Sequence, residues 1–312
     1  MTRKSARSAL IIGSRGSKLA LAQSTWVRQE IMRRSPGSTV EIRIIKTAAD
    51  KDQKSSIRSG SGTGVFVKEL EDALISGNID LAVHSMKDVP TRIPDGLEIA
   101  AIPPREDPRD AMISLSRLSS SRDLPQQAII GTGSIRRQAQ LLALRPDLVV
   151  KDIRGNVDTR LGKLDAGSYD AVVLACAGLN RLGMRDKISL IFDTRDLLPA
   201  PGQGALALEV RHDDRRAMEM ITDLNHRETA IAVLAEREFL RAMGGGCNSP
   251  VAVHARIEGG MLQIEGLAAS PDGKRVVRES ASTALENGGP AASALAENIL
   301  LKGGREILDT CR

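Results

Sequence analysis

Gly167-Ser168-Tyr169-Asp170 leads into the apolar run 171–174, and Gly77-Asn78-Ile79-Asp80 leads into 81–83 in the same way. Each follows a helical period that contains an acidic–Ala step. A short apolar run bounded by turn residues and preceded by a helix reads as a strand of a βαβ unit. The echo predicts two similar α/β halves in succession, with a cleft between them. The match is short, and chance similarity stays a competing account. Outward from these points the same grammar repeats. Residues 9–12, 39–45, 79–84, 128–130, 148–153 and 170–175 read as strands. Residues 18–34, 65–76, 134–144 and 157–166 read as helices, the first with Leu19, Ala22, Trp26 and Ile31 near one face. The alternation implies mainly parallel sheets.

Pro103-Pro104 with the charged run 105–110 reads as a crossing between the halves, and LPAPGQG at 198–204 as a second crossing. The strand-like run 205–210 then returns toward the first half. After Arg211 the pattern changes. A helix over 228–243, with Ile231, Leu234, Ala235 and Phe239 on one face, precedes three strand-like runs near 251–257, 261–268 and 275–280. A closing helix spans about 291–301. This predicts a small α+β third domain. SSIRSGSGTG at 55–64 reads as a mobile loop or lid.

Composition narrows the function. The 312 residues are 41% hydrophobic and 27% charged, which fits a folded chain and argues against a disordered or collagen-like one. No apolar run approaches the ~18–20 residues of a membrane span, and 9–12 is too short for a signal-peptide core. The chain therefore reads as cytoplasmic. Three cysteines and four scattered histidines give neither a disulfide framework nor a zinc set. The net charge of +5 invites an anionic partner. With aromatics at 2%, a single-strand nucleic-acid binder lacks its stacking platforms.

The basic residues are not scattered. Gly131-Thr132-Gly133-Ser134 follows a strand and opens a helix carrying Arg136 and Arg137. Ser134 suits the N-cap. Two arginines in the first turn oppose the helix dipole unless an anion sits there; the bland alternative is a capped helix with two solvated arginines. Arg154-Gly155-Asn156, with Arg160 further on, repeats the device, and Arg15-Gly16-Ser17 is a third case. Ligands of open α/β sheets bind beyond the carboxyl ends of strands. Arginines gathered there suit several carboxylates, because guanidinium pairs with carboxylate in bidentate fashion. Lys87 and Asp88, in HSMKDVP at 84–90, would sit at the cleft mouth. Asp88 among cations can stabilise developing positive charge or carry a proton; the alternative is a loop ion pair. His84 reads as a satisfied strand-end residue. Cys247, after three glycines, is a candidate nucleophile or covalent anchor, or a plain free thiol. Cys176, Phe192 and Phe239 read as core, and Glu69, Glu71 and Asp72 as a solvated face. Phe66 reads as core or cleft lining, and Cys311 as exposed.

Taken in order, SRGSKLALAQ (14–23), GVFVKELEDAL (64–74), DLAVHSMKDVP (80–90), REDPRDA (105–111), GTGSIRRQAQL (131–141), RGNVDTRLGKLD (154–165), AGLNRLG (177–183), PAPGQGAL (199–206) and GGGC (244–247) resemble the porphobilinogen deaminase (hydroxymethylbilane synthase) family. The resemblance spans nearly the whole chain. It implies a transferase of tetrapyrrole (heme) biosynthesis that joins four porphobilinogen molecules head to tail, releasing ammonia each time, to give hydroxymethylbilane. It implies a dipyrromethane cofactor, made from the substrate and held by a thioether to Cys247. By the same resemblance Asp88 is the catalytic carboxylate. Lys87, Ser134, Arg136 and Arg137, with Asp88, contact the cofactor, and Arg15, Gln23, Arg154, Arg160 and Arg181 bind substrate, Arg15, Arg154 and Arg160 by its carboxylates and Gln23 as a polar contact. Gln203 and Arg181 shape the cleft. A monomer is implied, with no metal, nucleic-acid or membrane partner. Two departures stand out. Ser59 and Thr63 occupy loop positions where many relatives carry lysine, with Arg58 and Lys54 as possible substitutes. Gly244 replaces an acidic residue that some relatives have.

The expected fold is α/β with three domains: two periplasmic-binding-protein-like lobes (1–104 with 205–222, and 105–204) and a small α+β C-terminal domain (223–312) that presents Cys247 to the cleft. The rival reading is a non-catalytic two-lobed anion-binding protein. That rival leaves Asp88 in a cationic cleft and an accessible Cys247 without a purpose.

Overall fold

The computed structural model describes residues 9–46, 67–244 and 249–311. The loop 55–64, Phe66 and Cys247 lie outside the described residues. Along the chain the elements are β1 (Ala9–Ser14), α1 (Lys18–Arg34), β2 (Thr39–Ile44), α2 (Lys68–Ile75), β3 (Leu81–Ser85), β4 (Leu97–Ala101), β5 (Asp110–Ser114), β6 (Ile129–Gly131), α3 (Ile135–Leu144), β7 (Val149–Lys151), α4 (Val157–Asp165), β8 (Ala171–Ala175), α5 (Cys176–Arg181) and β9 (Leu190–Ile191). They continue with β10 (Leu206–Arg211), α6 (Arg215–Ile221), α7 (Arg227–Ala242), β11 (Val251–Glu258), β12 (Met261–Ala269), β13 (Val276–Thr283), α8 (Gly288–Ile299) and α9 (Arg305–Asp309).

Among the described residues the strands form three sheets, ordered β2-β1-β3-β10-β4, β7-β6-β8-β5-β9 and β11-β12-β13. The fold is thus α/β in two lobes, with a small sheet domain at the C-terminal end. The first two sheets follow one plan. Three parallel strands are extended by two more, the nearer of which, β10 or β5, runs antiparallel to the strand it joins. This corrects the expectation of mainly parallel sheets: each crossing delivers the chain into a lobe on a strand, β5 in the second lobe and β10 back in the first, that runs opposite to the parallel strand it joins. β4, β5 and β9 are additions to the strands read from sequence.

Both faces of each lobe sheet are covered at its centre, which is why strands such as β1 and β8 are buried without alternation. In β1, Leu10 and Ile12 face α1 through Val27 and Ile31, while Ile11 faces Leu70 and Leu74 of α2. In the second lobe, Met112, Ile130 and Val173 build one core, and Ile113, Val172 and Leu174 the other. Phe192 and Cys176 lie in these two cores, and burial pushes the Cys176 thiol up to about 12. Phe239 anchors the third core, between α7, α8 and one face of the last sheet. The other face of that sheet packs Ala252, Leu267 and Ala269 onto Ala139 of α3 and onto Leu198.

Three surface readings need correction. Trp26 is exposed, because the buried stripe of α1 is Gln23, Val27 and Ile31, one residue round from the expected face. Leu234 is 53% exposed, since α7 turns Ala232, Ala235 and Phe239 inward. Glu71 is half-buried; burial raises its carboxyl, and nearby Glu209 adds to the rise.

Two crossings join the lobes and run side by side. The Glu106 amide donates to the Gly204 carbonyl at 3.2 Å, and Arg105 Nε to the Gln203 carbonyl at 2.8 Å. Gly204 has φ +89°, and a Cβ there would lie 2.3 Å from the Glu106 carbonyl oxygen, so only glycine permits this approach. The third domain clamps both crossings through one buried carboxylate. Glu236 of α7 receives Arg105 Nη1 at 2.7 Å and Nη2 at 3.0 Å, the Gly202 amide at 2.6 Å and the Ala255 amide at 2.8 Å.

Burial alone would raise the Glu236 carboxyl. The Arg105 charge and His254 outweigh it and hold the group down at about 2. A depressed carboxyl stabilises the fold above its unfolded value, near 4.3, and the contribution fades as pH falls toward 2. Glu236→Gln is therefore expected to cost about 3 kcal/mol at pH 7. In urea titrations the gap between wild type and variant should shrink from pH 5 to pH 3. A gap that stays constant contradicts the assignment.

Candidate active site

A cavity of about 220 Å³ lies where the two lobes face each other. Arg15, Gln23 and Lys87 reach it from the first lobe; Arg137, Arg160 and Arg181 reach it from the second. A smaller cavity of about 70 Å³ adjoins it, sharing Arg15, Gln23 and Ser85 and adding His84 and Asp88.

Helix starts deliver several of these groups. Ser17 caps α1, its hydroxyl accepting from the Ala20 amide at 3.3 Å, so Arg15 and the positive end of the helix face the cavity together. Gln23, one turn on, is buried and donates to Ser85 Oγ at 2.9 Å, which ties α1 to the end of β3. Asn156 and Val157 bring the start of α4 to the opposite wall. The turn before α4 depends on Gly155, at φ +106°, where a Cβ would lie 2.6 Å from the Thr159 side chain. Arg160 then folds back, donating from Nε to the Gly155 carbonyl at 2.8 Å. Arg181 donates from Nη2 to the Gly204 carbonyl at 2.7 Å, joining the cavity to the second crossing. Lys18 and Asp158 pair across the cleft at 2.9 Å; this exposed pair is worth at most about 1 kcal/mol.

Lys87 and Asp88 sit on a single 3₁₀ turn, Met86–Asp88, directly after β3. The Met86 amide donates to the Ala205 carbonyl at 3.0 Å. On the far side Arg237 of α7 donates to the Val89 carbonyl at 3.1 Å and the Pro90 carbonyl at 2.7 Å. The turn is therefore held by the second crossing and by the third domain. His84 is buried, with Nε2 2.9 Å from Glu209 Oε2, so it has its partner inside the sheet.

Electrostatics mark the cavity as short of negative charge. Burial pulls the Lys87 ammonium down to about 8; Asp88 and Asp110 oppose this, while Arg137 and Arg136 add to it. Burial pulls Arg160 to about 10, helped by the Arg137 charge, and Arg181 to about 10 against Glu106. Cations destabilised by burial and by one another favour an anion between them.

The remaining expected residues fall elsewhere. Ser134 is the N-cap of α3, with its Oγ 3.5 Å from the Arg137 amide. Arg136 and Arg137 are buried rather than solvated, and both pair with Asp110. Arg154 donates from Nε to Asp152 at 2.8 Å. Arg136, Ser134 and Arg154 do not line these two cavities. Cys247 belongs to the undescribed segment 245–248. Sequence reading passed over Asp110 and Ser85 as site residues. An acidic residue opening the apolar run Ala111-Met112-Ile113 was the available signal for Asp110.

Comparison with known proteins agrees with the residues. Residues 10–219 match the family profile described as porphobilinogen deaminase, dipyromethane cofactor binding domain, and residues 230–301 match its C-terminal domain. A protein named porphobilinogen deaminase from Geobacter sulfurreducens is 50% identical over 299 residues, 96% of this chain and 93% of that one. The protein of the same name from Trichlorobacter lovleyi is 48% identical over 300 residues, 96% of each chain. A TRAP periplasmic solute binding protein from Desulfovibrio salexigens is similar in structure, with 11% identity, 75% of this chain and 76% of that one covered, and a TM-score of 0.43. By profile, by identity and by coverage, this chain belongs to the porphobilinogen deaminase family.

Proposed function

We propose that this protein is a transferase that condenses four porphobilinogen molecules head to tail into hydroxymethylbilane, releasing ammonia at each step. The observation that carries this reading is the cation-lined cavity with Asp88 on its annex. Each pyrrole brings an acetate and a propionate, so a growing chain is a polycarboxylate. Arg15, Lys87, Arg137, Arg160 and Arg181 supply the charge that such a chain needs. The same cations fit a dipyrromethane cofactor, which bears the same carboxylates. Attached to Cys247, that group supplies the pyrrole terminus to which units are added. No helix among the described residues is long and apolar enough to cross a membrane. The reading takes the enzyme as a cytoplasmic monomer of tetrapyrrole biosynthesis.

The chain's own residues divide the work. Arginines from both lobes orient substrate by its carboxylates, with guanidinium forks matching carboxylate geometry. Ammonia leaves the substrate with the electrons of the broken C–N bond, and positive charge spreads over the pyrrole. Asp88 accepts the pyrrole N–H and offsets that charge in a confined site, where a fixed carboxylate acts more strongly than in water. Gln23 and Ser85 hold the wall beside it.

Asp88→Asn keeps the size of the side chain and removes its charge. The variant should fold normally and release ammonia from porphobilinogen at least about 100-fold more slowly. Near-normal ammonia release from a folded variant contradicts the role given to Asp88.

Lys87 gives a pH test. Its ammonium, lowered to about 8 by burial, is charged at neutral pH and loses charge as pH rises through 8. Values of kcat/KM report the free enzyme and should fall above about pH 8. Lys87→Arg should move that fall to higher pH, since guanidinium keeps its proton. An identical alkaline limb in wild type and variant rules Lys87 out as its source.

A further inference from the structure

Asp110 opens β5 directly after the first crossing, and its side chain is fully buried. Its Oδ1 accepts from Arg137 Nε at 3.0 Å, Arg137 Nη2 at 2.7 Å and Gln203 Nε2 at 2.8 Å. Its Oδ2 lies 2.8 Å from Arg136 Nη1. The two guanidiniums are fixed at their other ends as well: Arg136 Nη1 donates to the Leu198 carbonyl at 2.6 Å, and Arg137 Nη1 to the Val173 carbonyl at 3.0 Å. Burial would raise the Asp110 carboxyl, but the two arginines hold it far below the usual carboxylate range. One carboxylate therefore faces two buried cations, and the cluster keeps a net positive charge.

By Coulomb's law alone a carboxylate here is the wrong sign, because it repels the ligand's own carboxylates. Its geometry supplies the reason for its presence. A guanidinium on a long flexible side chain binds well only if its fork is already oriented. Resting on the proposed function, we infer that Asp110 is a positioning residue: with Arg136 as its second counter-cation, it holds Arg137, which lines the main cavity, in the orientation that receives pyrrole-chain carboxylates. Through Gln203, whose Nε2 also donates to the Pro108 carbonyl at 2.7 Å, it fastens the pair to both crossings. The charge account and the positioning account predict opposite signs. Neutralising Asp110 tightens anion holding by charge alone, and weakens it if orientation matters more.

The test uses the full chain as wild type, Asp110→Asn and Asp110→Glu. Each is incubated with porphobilinogen and weighed intact for covalently held pyrrole units. Each is also treated with phenylglyoxal and mapped for modified arginine, with circular dichroism as the check of folding. The expected result is a folded Asp110→Asn protein that holds about tenfold less pyrrole mass than wild type. Arg136 and Arg137 should be modified faster in it, while exposed Arg33 is modified at the wild-type rate. A folded Asp110→Asn protein with wild-type or greater pyrrole mass overturns the inference, whatever the labelling shows. If that variant does not fold, Asp110→Glu decides: it keeps the charge but displaces it by one methylene, so reduced mass supports positioning and wild-type mass overturns it. If no protein gains pyrrole mass, wild type included, the proposed function fails instead. Unchanged labelling of Arg136 and Arg137 in the variants then removes the role of Asp110 as well, and faster labelling upholds the pairing.

Discussion

Positive charge held out of water without enough negative charge is the constraint on which this molecule is built. Burying a cation is costly unless a partner neutralises it. The cleft gathers Arg15, Lys87, Arg137, Arg160 and Arg181 and meets them with few carboxylates. Such an arrangement is stabilised by a ligand that brings its own carboxylates, and less by a ligand that brings one. Burial lowers the proton affinities of Lys87, Arg160 and Arg181 in the same way.

The architecture sets those charges on two facing walls. Each lobe has a sheet covered on both faces, and the cavity's cations sit just past its strands, Arg15 and Lys87 in the turns after them and Arg137, Arg160 and Arg181 on the helices that follow. The two crossings lie against each other, and Glu236 pins them to the third domain. The segment after Asp88 is fastened to that domain through Arg237. Both the Met86–Asp88 turn and the crossings thus take their position from a domain that supplies none of the named residues on either cavity wall. The C-terminal domain is a brace for the site.

Much of this is legible in the sequence, for a physical reason. Strands with both faces covered are largely apolar, so 81–83 and 171–174 read directly, and 205–210 does so despite its buried Glu209. β5 does not, because it opens on Asp110 behind a run of charge, and a buried acid is legible only once its two arginines are known to sit beside it. Trp26 shows the converse failure: helical spacing places it on the apolar face of α1, yet the polar Gln23 takes the buried stripe because Ser85 satisfies it. In the site, glycine, arginine and a hydroxyl or amide at strand ends announced an anion cleft. Local pattern carries no information on which arginines receive an internal counterion, since Asp110 and Arg137 meet only in the folded lobe.

The central claim is that this cleft serves a pyrrole chain primed on Cys247. Its most direct test is the intact mass of the purified protein before and after porphobilinogen, with a peptide map to place any adduct. The account predicts a mass above that of the sequence by two linked pyrrole units, located on the peptide that carries Cys247. An unmodified Cys247 after incubation, or an adduct on another residue, contradicts it.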